Sequence, residues 1–230
     1  MDQRPDAVVL LVVLTYGAQQ RPVRTVSIMT IRAVVFDIGG VLEFSVPMDF
    51  GQRWEPKLGL AEGSFEAAMS DVWTAGALGT VTEAGVHAAM RDRLGITEDQ
   101  VDAVMADMWE QYLGSPNTEL IEYARGLRPA VRTGILSNSF VGAGEREQAA
   151  YGLVELVDEC MYSHEVGMRK PDPGLWALAC ERMGFEPAEV LFVDDVPVFV
   201  AGARAYGMRA VLFESTAQVI AEVEAALREQ

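Results

Sequence analysis

The chain has 230 residues, half of them hydrophobic, and sets 34 acidic against 18 basic residues for a net charge of −16. That length buries a substantial core, as one domain with a large insertion or as two small ones, and the charge disfavours nucleic acid and anionic membrane as partners. A phosphorylated ligand would need a locally positive pocket, supplied by a metal ion or by one or two placed cations.

Residues 1–28 differ from the rest. Ala7 to Leu14 is apolar but too short to span a bilayer, and the preceding Met1 to Asp6 carries two acids against one Arg, wrong for a secretory signal. The stretch is read as an extension outside the fold, and the protein as cytoplasmic. Cys160 and Cys180 lack CxxC or metal-ligand spacing and fit that compartment as reduced thiols.

The run IRAVVFDIGGVL, Ile31 to Leu42, is apolar and β-branched without polar alternation, the mark of a strand buried on both faces. Asp37 emerges at its C-terminal end, where open α/β sheets hold ligands. Gly39 and Gly40 allow a sharp turn and bring bare N–H groups close to an anion.

From Glu43 to about Asn117 the spacing turns helical. Thr97 to Gln100 forms a capping box, opening a helix whose apolar Val101, Val104, Met105, Met108, Trp109 and Tyr112 recur at three and four. Trp54, Leu58, Phe65, Met69, Val72 and Trp73 predict one or two helices upstream, with Gly76 to Gly79 as a break. No strand signal appears, so residues 46–117 read as a helical cap inserted after the first strand, flanked by core segments 29–45 and 118–230.

Strand and helix then alternate. Asn117 caps a helix through Tyr123, and Val131 to Leu136 is a strand ending on Ser137, Asn138 and Ser139. Asp172 as N-cap, Pro173 at the first helical position and Gly184 past the end delimit another helix. Val190 to Val193 is a buried strand ending on Asp194 and Asp195. Pro197 opens a helix that Gly207 closes before a strand from Arg209 to Phe213, and Thr216 starts a C-terminal amphipathic helix. The alternation predicts a parallel, doubly wound α/β sheet, so the three polar strand ends lie on one edge.

At that edge Asp37, with Asp194 or Asp195, offers hard oxygen ligands suited to Mg²⁺, which would offset the repulsion between paired carboxylates. Ser137, with Asn138 and the backbone beyond it, can donate to phosphoryl oxygens, and Lys170 can balance phosphate charge.

FDIGGV, LSNS, GMRKPDP and FVDD in this order resemble the haloacid dehalogenase superfamily, in the subfamily with a helical cap between the first two motifs; the likeness runs from Ile31 to Phe213. The resemblance implies a Rossmann-like core, a mobile cap and, in the family's phosphatases, Mg²⁺ and an aspartyl-phosphate intermediate. Asp37 then matches the nucleophile, Ser137 the phosphate-binding hydroxyl, Lys170 the family lysine and Asp194 a metal ligand. Gly40, Asn138 and Lys170 would also face the phosphate; Gly39 would lend the metal its carbonyl, and Asp195 would support the metal shell or Lys170. The expected function is hydrolysis of a small phosphorylated metabolite. The alternatives are carbon–halogen hydrolysis, against which the Asp194–Asp195 pair argues, and non-catalytic binding.

Two positions depart from the family pattern. Phosphatases of this kind usually carry a second Asp, as general acid and base, where this chain has Gly39, and Phe199 stands where relatives commonly place Asn. Glu43, Asp49, His164 and Glu165 lie near the motifs in sequence as substitutes, although surface or structural roles are the expectation for each. Arg53, Lys57 and Arg91 are helical cations read as solvated.

Overall fold

The computed structural model describes residues 30–229, so the expected extension over residues 1–28 lies outside the described residues. At the centre is β1 (Ala33–Phe36), every residue of which is buried. Its apolar run serves both faces, Val34 and Phe36 packing into one layer and Ala33 and Val35 into the other, as the two-residue period of a strand requires.

After β1 a two-residue strand, β2 (Glu43–Phe44), leads into four helices: α1 (Phe50–Leu58), α2 (Ser64–Ala77), α3 (Glu83–Leu94) and α4 (Glu98–Leu113). The chain returns through β3 (Ser115–Pro116), which pairs antiparallel with β2. These helices share their own apolar cluster, built on Phe65, Met69, Val86, Met90, Val104 and Met108. The capping box at the start of α4 is present, the Gln100 N–H donating to Thr97 Oγ1 while the Thr97 N–H donates to Gln100 Oε1.

The expected break over Gly76 to Gly79 is present: α2 ends at Ala77 and Gly79 takes φ +68°. Gly76 itself is still helical and buried, and a β-carbon there would meet the Phe140 ring at 2.1 Å. Its glycine serves a close approach between helix and loop, not a turn. The β2–β3 pair likewise lies inside a stretch that carries no strand signal, being too short to show alternation.

The chain then runs through α5 (Thr118–Leu127), β4 (Arg132–Ser137), α6 (Ala143–Tyr151), α7 (Leu153–Leu156), β5 (Glu159–Tyr162) and α8 (Ser163–Val166). It closes with α9 (Pro173–Met183), β6 (Val190–Asp194), α10 (Pro197–Tyr206), β7 (Arg209–Leu212) and α11 (Thr216–Arg228). The helix capped by Asn117 reaches Leu127, four residues past the expected Tyr123, and β4 sits one residue later than the apolar run. The five long strands form one parallel sheet in the order β5-β4-β1-β6-β7. Helices α5 and α11 cover one face through Leu120, Ile121, Val219 and Val223. Helices α9 and α10 cover the other through Leu175, Trp176, Met183 and Ala203. This is the doubly wound α/β architecture. Cys160 and Cys180 are free thiols, and among the described residues no helix is long and apolar enough to cross a membrane.

Candidate active site

The sheet register assembles the site. Phe36 is level with Ile135 of β4 and Val193 of β6, so Asp37, Ser137 and Asp194 leave the same edge of three adjacent strands. Lys170 reaches them from the loop before α9. Its ammonium is fully buried and bridges Asp37 Oδ2 at 2.8 Å and Asp194 Oδ2 at 2.6 Å. The second oxygen of each acid is held by backbone: the Ile38 N–H donates to Asp37 Oδ1 and the Val196 N–H to Asp194 Oδ1, both at 2.8 Å. These contacts fix the rotamers of both acids.

One carboxylate oxygen from each of Asp37, Asp194 and Asp195 lies within 4.8 Å of the others. Three carboxylates against one ammonium leave two negative charges, the complement of a divalent cation, and all donors are the hard oxygens that Mg²⁺ prefers. The residues present therefore fit such a metal. Burial, then the charge of Asp37, pushes the Asp194 carboxyl up to about 7 against the pull of Lys170. Burial and Asp37 raise Asp195 as well.

Gly40 adopts φ +75°, and a β-carbon there would fall 2.2 Å from Asp195 Oδ2, so glycine is required both by conformation and by the close approach of that carboxylate. Gly39 is under neither demand. Its φ is not positive, and a β-carbon would make only ordinary contact, 3.4 Å from Ser45 Oγ. Asn138 holds the main chain of Lys170 with both ends of its amide, accepting from the Lys170 N–H at 2.7 Å and donating to the Lys170 carbonyl at 3.1 Å. Asn138 thus positions the lysine as well as bordering the site. Phe199, the unexpected residue in the first turn of α10, places its ring 5.2 Å from the Lys170 ammonium, and the Phe192 ring lies 5.4 Å from it.

Above the acids is a cavity of about 250 Å³ whose wall includes Asp37, Gly39, Ser137, Asn138 and Asp195. Of the four substitutes near the motifs, Glu43 alone reaches that wall. It is 2 % exposed, accepts a 2.7 Å hydrogen bond from the Ser45 hydroxyl, and is pushed by burial to about 7. Opposite stands Glu147 of α6, which motif order alone misses; burial raises it to about 7 beside Tyr112 and Tyr162. A signal for it exists in the sequence, because Ala143, Glu147 and Tyr151 share one helix face and the first two are fully buried. Arg53 pairs with Asp49 and Asp107, Lys57 lies over the Trp54 ring, and Arg91 pairs with Glu98.

A family model for haloacid dehalogenase-like hydrolases matches residues 31–207, from β1 through α10. The chain belongs to that family. Within it, similarity points in more than one chemical direction. The chain is 37 % identical over 100 residues to the phosphatase MT3486 of Mycobacterium tuberculosis (strain CDC 1551 / Oshkosh), covering 43 % of this chain and 45 % of the relative. It is 35 % identical over 79 residues to (S)-2-haloacid dehalogenase 1 of Pseudomonas sp. (strain CBS-3), covering 34 % of this chain and 35 % of the relative. The matched stretch is thus less than half of either relative. Among solved structures, a predicted HAD-like family hydrolase from Porphyromonas gingivalis superposes with a TM-score of 0.72 at 24 % identity, covering 87 % of this chain and 100 % of that one. A HAD family enzyme from Bacteroides thetaiotaomicron, in complex with magnesium and inorganic phosphate, superposes at 0.67 with 21 % identity over 79 % of this chain and 93 % of that one. These two structural likenesses show the haloacid dehalogenase-like fold.

Proposed function

We propose that this hydrolase is a Mg²⁺-dependent phosphomonoesterase acting on a small phosphorylated metabolite, with helices α1–α4 as its cap. The carrying observation is the carboxylate trio of Asp37, Asp194 and Asp195 around the Lys170 ammonium, a site two charges too negative without a divalent cation. Asp37, Asp194, Asp195 and the Gly39 carbonyl would hold the metal, which when bound screens the phosphoryl charge from the carboxylates.

The chain's own groups supply the rest. A carboxylate oxygen of Asp37 attacks phosphorus, and the bond from phosphorus to the ester oxygen breaks. Lys170, fixed by Asn138, orients Asp37 through their ion pair and offsets phosphoryl charge. The Ser137 hydroxyl and the Gly40 N–H face the same phosphate. Water then attacks phosphorus, releasing inorganic phosphate and returning the Asp37 carboxylate. Position 39 offers no side-chain acid, which leaves solvent or a cavity-wall acid such as Glu43 to protonate the departing oxygen.

A 2-haloacid dehalogenase activity is the competing chemistry, favoured by the match to the Pseudomonas enzyme. Assays of p-nitrophenyl phosphate and 2-chloropropionate with and without Mg²⁺ separate the two. The expected result is Mg²⁺-dependent phosphate release that Asp37→Asn abolishes while thermal melting stays within a few degrees of the parent. Chloride release without Mg²⁺, or turnover by Asp37→Asn, refutes the proposal.

A further inference from the structure

A second cavity, of about 290 Å³, opens beside the first, lined by Met48, Phe50, Trp73, Met108, Tyr112 and Phe140. Met48 and Tyr112 belong to the walls of both. The two adjoin through these shared walls: the one at the acids, the inner cavity, is carboxylate-rich, and the other, the outer cavity, is aromatic and thioether. Neither wall contains a Lys or Arg among the described residues, and the charged group on the outer wall is the acid Glu66. Arg53, on the neighbouring helix α1, is ion-paired to Asp49 and Asp107.

The approach to this space is also apolar. Between β2 and α1, Val46 is 46 % exposed and Met48 is 51 % exposed, both on the wall of the inner cavity. Exposed apolar side chains gathered at a cavity mouth mark a binding surface more often than chance placement on a monomer. The two cavities together are of the size that small-molecule sites typically have.

We infer that the alcohol released from the phosphate ester is apolar and carries no second anionic group, and that it occupies the cavity lined by Met48, Phe50, Trp73, Met108 and Phe140. The inference rests on the phosphatase reading for the position of the phosphate, but its content is the chemistry of the outer cavity. Substrates with a second phosphate or a carboxylate would place that charge against Glu66 or unpaired among aromatic rings, which is costly. A leaving group that fills the cavity gains by desolvating Met48, Trp73 and Phe140.

Titration calorimetry of the full chain at pH 8 with Mg²⁺ tests this with non-hydrolysable probes: methyl-, n-butyl- and n-hexylphosphonate, and 3-phosphonopropionate. Affinity is expected to rise about two- to fourfold per methylene along the alkyl series, and 3-phosphonopropionate to bind at least roughly tenfold more weakly than n-butylphosphonate. Met48→Asp, at a half-exposed position that folding tolerates, should flatten the alkyl series. Affinity independent of chain length, 3-phosphonopropionate binding as well as n-butylphosphonate, or an unchanged series in Met48→Asp each overturns the inference. The phosphatase reading is judged separately, by Mg²⁺-dependent turnover of p-nitrophenyl phosphate. A protein that grips longer alkylphosphonates but turns over no ester loses that reading and keeps the apolar cavity.

Discussion

Replacing Lys170 by Met isolates what the buried ammonium does. The thioether keeps most of the stem's volume against the Phe192 and Phe199 rings, so packing is largely retained while the charge goes. What remains is Asp37 and Asp194 facing each other without the cation that now sits 2.8 and 2.6 Å from them. Removing one partner from a buried ion pair costs about 3–5 kcal/mol. For a protein of this size that is on the order of 10 °C in melting temperature. The sign with pH follows from Asp194, whose folded-state value, already raised, rises further once the ammonium is gone. A carboxyl with a raised folded value weighs against folding only while ionised, so the variant's extra cost sets in above about pH 7, where Asp194 of the parent ionises, and this contribution is gone at pH 5. Thermal melts by circular dichroism, with EDTA, should show a large gap between variant and parent at pH 8 and a small one at pH 5. Mg²⁺ at pH 8 should stabilise the variant by about 2.7 kcal/mol at a hundredfold excess over its Kd. Equal melting of variant and parent at pH 8 in EDTA would refute the neutralising role of Lys170.

Three other outcomes follow. Mg²⁺ binding should weaken about tenfold per pH unit below pH 7, because a proton on Asp194 competes with the metal; calorimetry from pH 5.5 to 8 checks this, and a pH-independent affinity contradicts it. Rates should depend steeply on leaving-group acidity, and Gly39→Asp, which meets no backbone strain, should speed butyl phosphate over p-nitrophenyl phosphate by about 10²-fold or more. A flat leaving-group series with chemistry rate-limiting would place the proton donor elsewhere. Glu147→Gln should stabilise the fold by roughly 2–3 kcal/mol at pH 8 and by almost nothing at pH 4.5, since a carboxyl raised to about 7 by burial opposes folding only when charged. An equal gain at both pH values would point to packing instead.

The main strands and the motifs at their ends were legible because buried parallel strands are continuous apolar runs and each ended on a polar residue. Ala33–Phe36 and Val190–Asp194 are such runs, and Asp37 and Asp194 fall where the runs stop. The α9 helix was legible from Asp172, Pro173 and Gly184, whose conformational roles are local; the Asp172 carboxylate accepts from the Gly174 N–H as an N-cap should. What depends on distant contacts was not legible. Gly76 to Gly79 mark the end of α2, but the close approach of Phe140 to Gly76 is invisible in the sequence. The edge strand β5 (Glu159–Tyr162) is half-buried and short, so its Glu-Cys-Met-Tyr sequence shows neither a run nor clear alternation. Glu43 reads as a surface or structural acid and Glu147 goes unread, its one local signal being the face it shares with Ala143 and Tyr151; neither sequence shows that β2 and α6 turn both acids toward one cavity.

The position of β1 has a consequence for biosynthesis. Ala33 pairs with Arg132 on one side and with Val190 on the other, so the first of the described strands waits for two partners made far later in the chain. On the ribosome, helices α1–α4 can bury their own Met and Phe cluster as soon as they emerge, but β1 waits for β4 and then for β6. Its four apolar residues must be shielded through that interval, and the closure of such long loops makes the step slow. The same order keeps the acids apart during synthesis: Asp37 meets Asp194 only when β6 docks, and by then the loop that carries Lys170 has already been made. The cation is therefore available to the nucleophile before the second acid arrives.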